Sequence, residues 1–236
     1  MAYQAALPTR NADGSAVVTP SRTGAYNEAY VIPVTNKEWA ACDEGSYFMG
    51  ITPTAGTGII GHAAPTTFDE AKPYIVLYNG NTSKYLYPQF LHLHETVASV
   101  GGARVQFTMT SDIGNRRSSA GTALTIANTN SGSSNATGVV GYIGAVVGTA
   151  ATGSRRLLGN VVFRGTIDII EDDYLMVWGA PNAMSGSTSR VATVAEASRV
   201  LAPMAIAPGH SLCITQWAGS QSTGPTFEAI FGWIER

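Results

Sequence analysis

The last stretch of the sequence, PTFEAIFGWIER over residues 225–236, alternates between two sets of side chains. Successive side chains of a β-strand point to opposite faces of its sheet, so a period of two predicts a strand. One face carries Phe227, Ala229, Phe231 and Trp233, and the other carries Glu228, Ile230, Gly232 and Ile234. The aromatic face requires a hydrophobic core to cover it. We therefore predict a central strand of a compact β-sandwich that reaches water only at Glu235 and Arg236.

The composition favours the same fold class. Glycine makes up 26 of the 236 residues, and only 13% of the residues are charged, against roughly 25% in an average globular protein. Many turns and a weakly charged surface are typical of an all-β protein, and depletion of charge is typical of contacts between subunits. A secreted sandwich that simply carries few charges is the alternative interpretation.

Further short runs with strand character are separated by turn signals. They are Ala29–Val34, Tyr47–Thr52, Gly58–His62, Tyr74–Tyr78, Tyr85–Glu95, Ala103–Thr110, Thr122–Ala127, Thr137–Gly148, Leu157–Phe163, Gly165–Ile170, Asp173–Gly179 and Ser211–Trp217. Only Asn36–Cys42 and Arg190–Leu201 have weak helical patterning. So many short strands predict an all-β, jelly-roll-type β-sandwich. We expect residues 31–236 to form this single domain and residues 1–30 to form an extended N-terminal arm.

Three local patterns predict how these strands connect. Asn79-Gly80 is a turn signal, so Asn79–Lys84 is expected to be a loop between paired strands. Pro88 lacks a backbone N–H and therefore indicates a strand start, an edge or a bulge. Thr137–Gly148 and Leu157–Phe163 are expected to pair with each other.

Charge and hydropathy argue against several classes of partner. The net charge of −2 argues against a nucleic-acid-coating protein, because such binding needs a basic surface. The longest apolar run, Val139–Ala151, is too short to span a membrane and contains glycines. The beginning of the sequence has no signal-peptide pattern. We therefore expect Cys42 and Cys213 to be reduced thiols.

The search for catalytic residues finds few candidates. His92 and His94 lie two positions apart and share a strand face, so they are weak candidates for metal ligands, with no third ligand identifiable. Two polar-face histidines on a half-exposed strand are the alternative. Glu171-Asp172-Asp173 has the pattern of a solvated turn, and Pro208-Gly209 that of a turn leading into a strand. We predict no enzymatic activity and no cofactor.

The span Ser118–Ser154 contains no charged residue, and arginine pairs flank it. We expect this span to contact a second copy of the chain, most simply in a homotrimer, and its middle, residues 127–137, to be either mobile or packed on a neighbouring subunit. Side chains beside it that can organise a turn or an inter-subunit contact are Asp112, Asn115, Arg116, Arg117, Arg155 and Arg156.

Three segments carry a resemblance to a known family. FTMTSDIGNRRSSAGTALT (107–125), YIVLYNGNTSKYLYPQFLHLHET (74–96) and APGHSLCITQWAGSQSTGPTFEAIFGWIER (207–236) resemble the minor structural and head-decoration (cement) proteins of tailed bacteriophages. The resemblance covers Tyr74–Arg236 as a pattern, and residues 36–68 have no counterpart in it.

This resemblance implies a jelly-roll virion protein that is assembled in the host cytoplasm. It would decorate the outer head shell, with itself and the major capsid protein as partners, and it would bind no nucleic acid and no membrane. A tail-spike or fibre module that binds receptor glycans is the alternative that remains open.

Overall fold

The computed structural model describes residues 7–10, 16–19, 37–63, 65–101, 105–164, 172–179 and 197–236. These residues contain one helix, α1 (Lys37–Asp43), and seventeen strands. In chain order the strands are β1 (Leu7–Arg10), β2 (Ala16–Thr19), β3 (Tyr47–Ile51), β4 (Ile59–Ile60), β5 (Ile75–Asn79), β6 (Leu86–Val97), β7 (Val105–Ile113), β8 (Arg117–Ser119), β9 (Thr122–Ala123), β10 (Thr125–Asn128), β11 (Val139–Ile143), β12 (Val147–Gly148), β13 (Arg156–Arg164), β14 (Asp173–Trp178), β15 (Ala197–Leu201), β16 (His210–Trp217) and β17 (Thr226–Glu235).

Thirteen of these strands build a sandwich of two sheets, and the pairs β1–β2 and β8–β12 are separate. Sheet 1 has the order β10-β3-β17-β6-β14-β15, with β4 added beside β17, and sheet 2 has the order β13-β7-β16-β5-β11-β9. The pairings are antiparallel except for the parallel pair β14–β15. If β3, β5, β6, β7, β13, β14, β16 and β17 are lettered B to I, the sheets run B-I-D-G and C-H-E-F. This is the strand order of a jelly roll, so the predicted fold class is confirmed.

Strand β17 lies in the middle of sheet 1, between β3 and β6, as the alternating pattern predicts. Its aromatic face is buried in the main core between the sheets. Phe227 is the centre of this core, because its ring contacts the rings of Tyr74, Phe107 and Tyr174 at centroid distances of 5.6, 6.1 and 5.8 Å. The prediction for the end of the strand is wrong at Glu235, which is only 1% exposed. The alternation continues to position 235 and turns this carboxylate toward the core.

Two predicted connections are wrong. The Asn79–Lys84 loop does not join paired strands, because β5 lies in sheet 2 and β6 in sheet 1. The buried Asn79 side chain holds this crossing by donating from Nδ2 to the carbonyl oxygens of Lys84 and Ile206, at 2.9 and 3.0 Å. Similarly, β11 pairs with β5 and β9, whereas β13 pairs with β7. Which strands pair with one another depends on the topology of the whole fold, and local sequence patterns do not determine it.

The expectation for Pro88 is confirmed as a bulge. The register of β6 against β17 shifts so that Gly232 faces Phe90 and Trp233 faces Pro88, which leaves Gln89 as the extra residue. Strand β14 pairs only with residues 90–94 of β6. The missing N–H of Pro88 therefore lies where no β14 partner needs it.

The loop over residues 127–137 is bonded to the C-terminal end of α1 in its own chain, and its contact with a neighbouring subunit stays a prediction. Helix α1 ends in a Schellman motif, in which Gly45 has a φ of 66° and Ser46 N–H donates to the Ala41 carbonyl at 2.8 Å. Loop asparagines satisfy the carbonyls that follow: Asn128 Nδ2 donates to Gly45 at 2.9 Å and Asn135 Nδ2 to Glu44 at 3.2 Å.

Some predictions fall outside the described residues. The strands expected at Ala29–Val34 and Gly165–Ile170 lie there, as does most of the N-terminal arm, within which β1 and β2 pair antiparallel. The helix expected over Arg190–Leu201 is wrong at its end, because residues 197–201 form β15. The division into an arm and a single domain stays a prediction.

Candidate functional site

Asp112 and Arg116 form a buried ion pair at the end of β7. Only 1% and 3% of their surfaces are exposed. The guanidinium donates to Asp112 Oδ2 through Nη1 and to the Thr149 carbonyl oxygen through Nη2, the latter at 2.5 Å. Thr152 donates its backbone N–H to Asp112 Oδ2 at 2.8 Å and its hydroxyl to Oδ1. The pair therefore fastens the turn after β7 to residues 149–152 of the same chain.

The electrostatics of Asp112 follow from these contacts. Burial by itself would raise the pKa of its carboxyl, because burial penalises the charged form. Hydrogen bonds from Thr152, from the N–H of Ile113 and from Arg116 outweigh burial and hold the pKa of Asp112 below its ordinary value. The carboxylate is thus the stable form in the folded protein.

The other candidate interface residues lie nearer the surface around this ion pair. Asn115 is exposed, and its Oδ1 accepts the Arg117 backbone N–H at 3.0 Å. Arg117 covers the Tyr142 ring at 3.7 Å from the centroid. Arg155 pairs with Glu70 at 2.6 Å, and the neighbouring Arg156 is exposed on β13. Asn115 and Arg117 follow the end of β7, Arg155 and Arg156 stand at the start of β13, and their role as an interface stays a prediction.

His92 and His94 share the outer face of sheet 1, and Asp173 of β14 lies between them. His92 Nε2 and His94 Nδ1 are 2.9 and 3.0 Å from the same atom, Asp173 Oδ1. Both imidazoles are about one-third exposed, as expected for histidines on a half-exposed strand. Within the described residues, no three His, Cys, Asp or Glu side chains are arranged to hold a metal ion.

Two buried carboxylate clusters were not expected. Glu235 accepts hydrogen bonds from Trp233 Nε1 at 3.0 Å, from Asn81 Nδ2 at 2.9 Å and from the Thr137 hydroxyl. Asp172, expected in a solvated turn, is instead buried, with its Oδ2 3.2 Å from the Tyr174 hydroxyl. That hydroxyl also lies 2.9 Å from Oε2 of the buried Glu95. Both clusters stand beside the aromatic core and connect strands.

The cysteines are free thiols, as expected, and Cys213 is buried. Burial raises the pKa of the Cys213 thiol to about 12, so the reactive thiolate is not populated near neutral pH.

Aromatic side chains gather around α1 on the outer face of sheet 1. The group consists of Trp39, Tyr47, Tyr85 and Tyr87, and we call it the α1 aromatic surface. Trp39 is 68% exposed and Tyr85 is 43% exposed, and they are the exposed aromatic residues of the described chain. Sequence reasoning missed this surface, because residues from α1, β3 and β6 meet there only in the fold.

Comparisons of the chain with protein-family models, with curated proteins and with solved structures found no match. In the described part of the chain, no helix has both the length and the hydropathy that a membrane span requires.

Proposed function

We propose that this chain is a structural protein of a bacteriophage virion, a decoration or cement subunit that binds the outer head shell and stabilises it. The observation that carries the proposal is the eight-strand jelly-roll order of β3, β5, β6, β7, β13, β14, β16 and β17. Viral capsid proteins use this architecture repeatedly, and so do lectins and cupins. Because fold alone does not fix function, the surface must supply the second argument.

One surface has the composition expected of a protein contact. Leu157 is 60% exposed and Ile113 is 49% exposed, and Asn115, Arg155 and Arg156 lie at the same end of sheet 2. We call these five residues the β7–β13 end. Exposed aliphatic side chains beside arginine are typical of interface cores, where Arg is enriched and other charges are depleted. The buried Asp112–Arg116 pair holds the turn beneath this surface and so pre-organises it.

The partners we propose are a second copy of the chain and the major capsid protein. A chain with a net charge of −2 suits docking on a protein shell better than contact with packaged DNA, which favours basic surfaces. Apolar docking is expected to survive moderate salt, whereas ionic attachment is screened beyond about 8 Å at physiological ionic strength.

The test compares particles assembled with and without this subunit. Particles that lack it are expected to form but to release DNA at a lower temperature. Adding back Leu157→Asp is expected to fail, with particle affinity reduced about tenfold or more, because a charge would be buried in the contact. Val100→Asp is the matched control, since Val100 is 58% exposed and lies away from the β7–β13 end.

Two results would overturn the proposal. One is particles that remain equally heat-resistant without the subunit but fail to adsorb to host cells, which would assign the chain to receptor binding. The other is equal rescue by the Leu157→Asp and Val100→Asp variants.

A further inference from the structure

The segment that forms the β7–β13 end carries an excess of positive charge. Residues 112–156 contain four arginines and one acidic residue, Asp112, although the whole chain has a net charge of −2. Two of these arginines are neutralised inside the chain, because Arg116 pairs with Asp112 and Arg155 pairs with Glu70. The other two arginines therefore decide the charge of this surface.

Arg117 and Arg156 are the arginines whose charge is left over. Neither has a carboxylate partner among the described residues. Arg117 donates from Nε to the Ala120 carbonyl oxygen at 2.8 Å and covers the Tyr142 ring. Arg156 is exposed at the first position of β13. The guanidinium of Arg156 is thus the charge that is most available to a partner.

Arg156 lies beside the two exposed aliphatic side chains of this end. It stands opposite Ser111 of β7, so Ile113, which is 49% exposed, is its diagonal neighbour on the same face of the sheet. Diagonal neighbours of an antiparallel pair lie ~7–8 Å apart, within reach of a long side chain. Leu157, the next residue of β13, is 60% exposed. A partner that covers Ile113 and Leu157 therefore also covers Arg156.

Covering Arg156 sets a condition on the partner. A guanidinium stays charged and presents five N–H donors, so its burial without an acceptor is costly. A carboxylate meets the condition, because it accepts two parallel hydrogen bonds from the guanidinium fork. A phosphate also accepts them, but the apolar side chains of Ile113 and Leu157 favour a protein over a phosphate backbone.

We propose that the β7–β13 end binds an acidic protein segment. A carboxylate of that segment accepts the fork of Arg156, and an apolar side chain of the same segment covers Ile113 and Leu157. The charge of Arg117 attracts the segment during its approach. The inference rests on the proposed attachment to the head shell and specifies the chemistry of the shell surface that this end recognises.

The experiment measures binding of the full chain to immobilised particles that lack it, by biolayer interferometry at about 0.05 M and about 0.5 M salt. Arg156→Glu is expected to weaken binding about tenfold or more at the lower salt, because it brings two carboxylates together. The loss is expected to shrink at the higher salt, where charges are screened. Lys37→Glu is the matched control: it changes the net charge equally at an exposed position of α1 and is expected to leave binding intact.

Arg156→Lys separates the fork from the charge. The positive charge is kept, so the association rate is expected to stay the same. Dissociation is expected to become about threefold faster or more, because an ammonium group cannot form the bidentate pair.

The possible outcomes distinguish this inference from the proposed function. Equal binding by Arg156→Glu and Lys37→Glu would overturn the inference and leave the attachment itself standing. A wild-type chain that does not bind the particles would overturn both together. Competition by a short DNA duplex would assign this end to a phosphate backbone and would also overturn the inference. Unchanged melting of Arg156→Glu, whose side chain is exposed, excludes unfolding as the cause of lost binding.

Discussion

At the scale of single residues, Glu235 joins three segments that are distant in the sequence. Its carboxylate accepts from Asn81 after β5, from Thr137 before β11 and from Trp233 on its own strand. Removing it would leave the buried Trp233 N–H without an acceptor, at about 1–3 kcal/mol, and would break the links to the partly exposed Asn81 and Thr137. We expect Glu235→Ala to lower the free energy of unfolding by roughly 3 kcal/mol, measured by urea denaturation.

Two further variants show whether the buried carboxylate is responsible. Glu235→Gln is expected to cost less than Glu235→Ala, because its amide oxygen can still accept from Trp233 and Thr137. Glu44→Ala removes an exposed carboxylate whose pair with Arg236 should contribute about 0–1 kcal/mol. Equal costs for Glu235→Ala and Glu44→Ala would contradict the assignment.

Asp112 predicts a pH dependence with a definite sign. Its pKa in the folded protein lies below the ordinary value, so its contribution to stability is full above the unfolded pKa of about 3.9 and is lost as the pH falls through the folded pKa. Asp112→Asn should therefore destabilise the protein at pH 7, and the gap from wild type should narrow below about pH 4. Thermal melts from pH 7 to pH 3 measure this gap. A difference in melting temperature that does not change with pH would show that the charge of Asp112 does not contribute to stability.

At the scale of elements, β17 concentrates the packing of the whole sandwich. Phe227 contacts rings from both sheets, so a smaller side chain there opens a cavity between them. We expect Phe227→Ala to cost about 3–5 kcal/mol and Phe227→Leu clearly less, as large-to-small core substitutions do. Chemical denaturation of both variants tests this. If Ile230→Ala, on the opposite face of the same strand, cost as much as Phe227→Ala, the core assignment would be contradicted.

The contrast between β17 and the other elements shows what the sequence can predict. Alternation is a local property, so the face of Phe231 and the bulge at Pro88 were predictable from neighbouring residues. The crossing after Asn79 was not, because its outcome depends on which sheet receives β6. The α1 aromatic surface was hidden for the same reason, since Tyr47 and Tyr87 meet only through Ile234 of β17, and the Tyr85 ring lies beside the Tyr87 ring. The sequence identified Asp112 and Arg116 as a carboxylate and a guanidinium close together, but it did not predict that both are buried.

At the scale of the whole molecule, the uncharged span Ser118–Ser154 remains the basis for an expected homotrimer. Within it, Val140 and Val147 are 43% and 41% exposed. We expect sedimentation equilibrium at micromolar concentration to give three times the mass of one chain. Because no charged residue lies in the span, assembly should persist at 0.5 M salt, where screening would weaken an ionic contact.

Two substitutions test the span itself. The double variant Val140→Asp, Val147→Asp should give monomers, because unpaired charges would be buried in the contact. Val97→Asp is the control and should leave the trimer intact, because Val97 is exposed and lies outside the span. If the wild-type chain sediments as a monomer, self-association would be limited to the particle surface. If Val97→Asp alone dissociates the trimer, the contact would include Val97 and would not be explained by the span Ser118–Ser154.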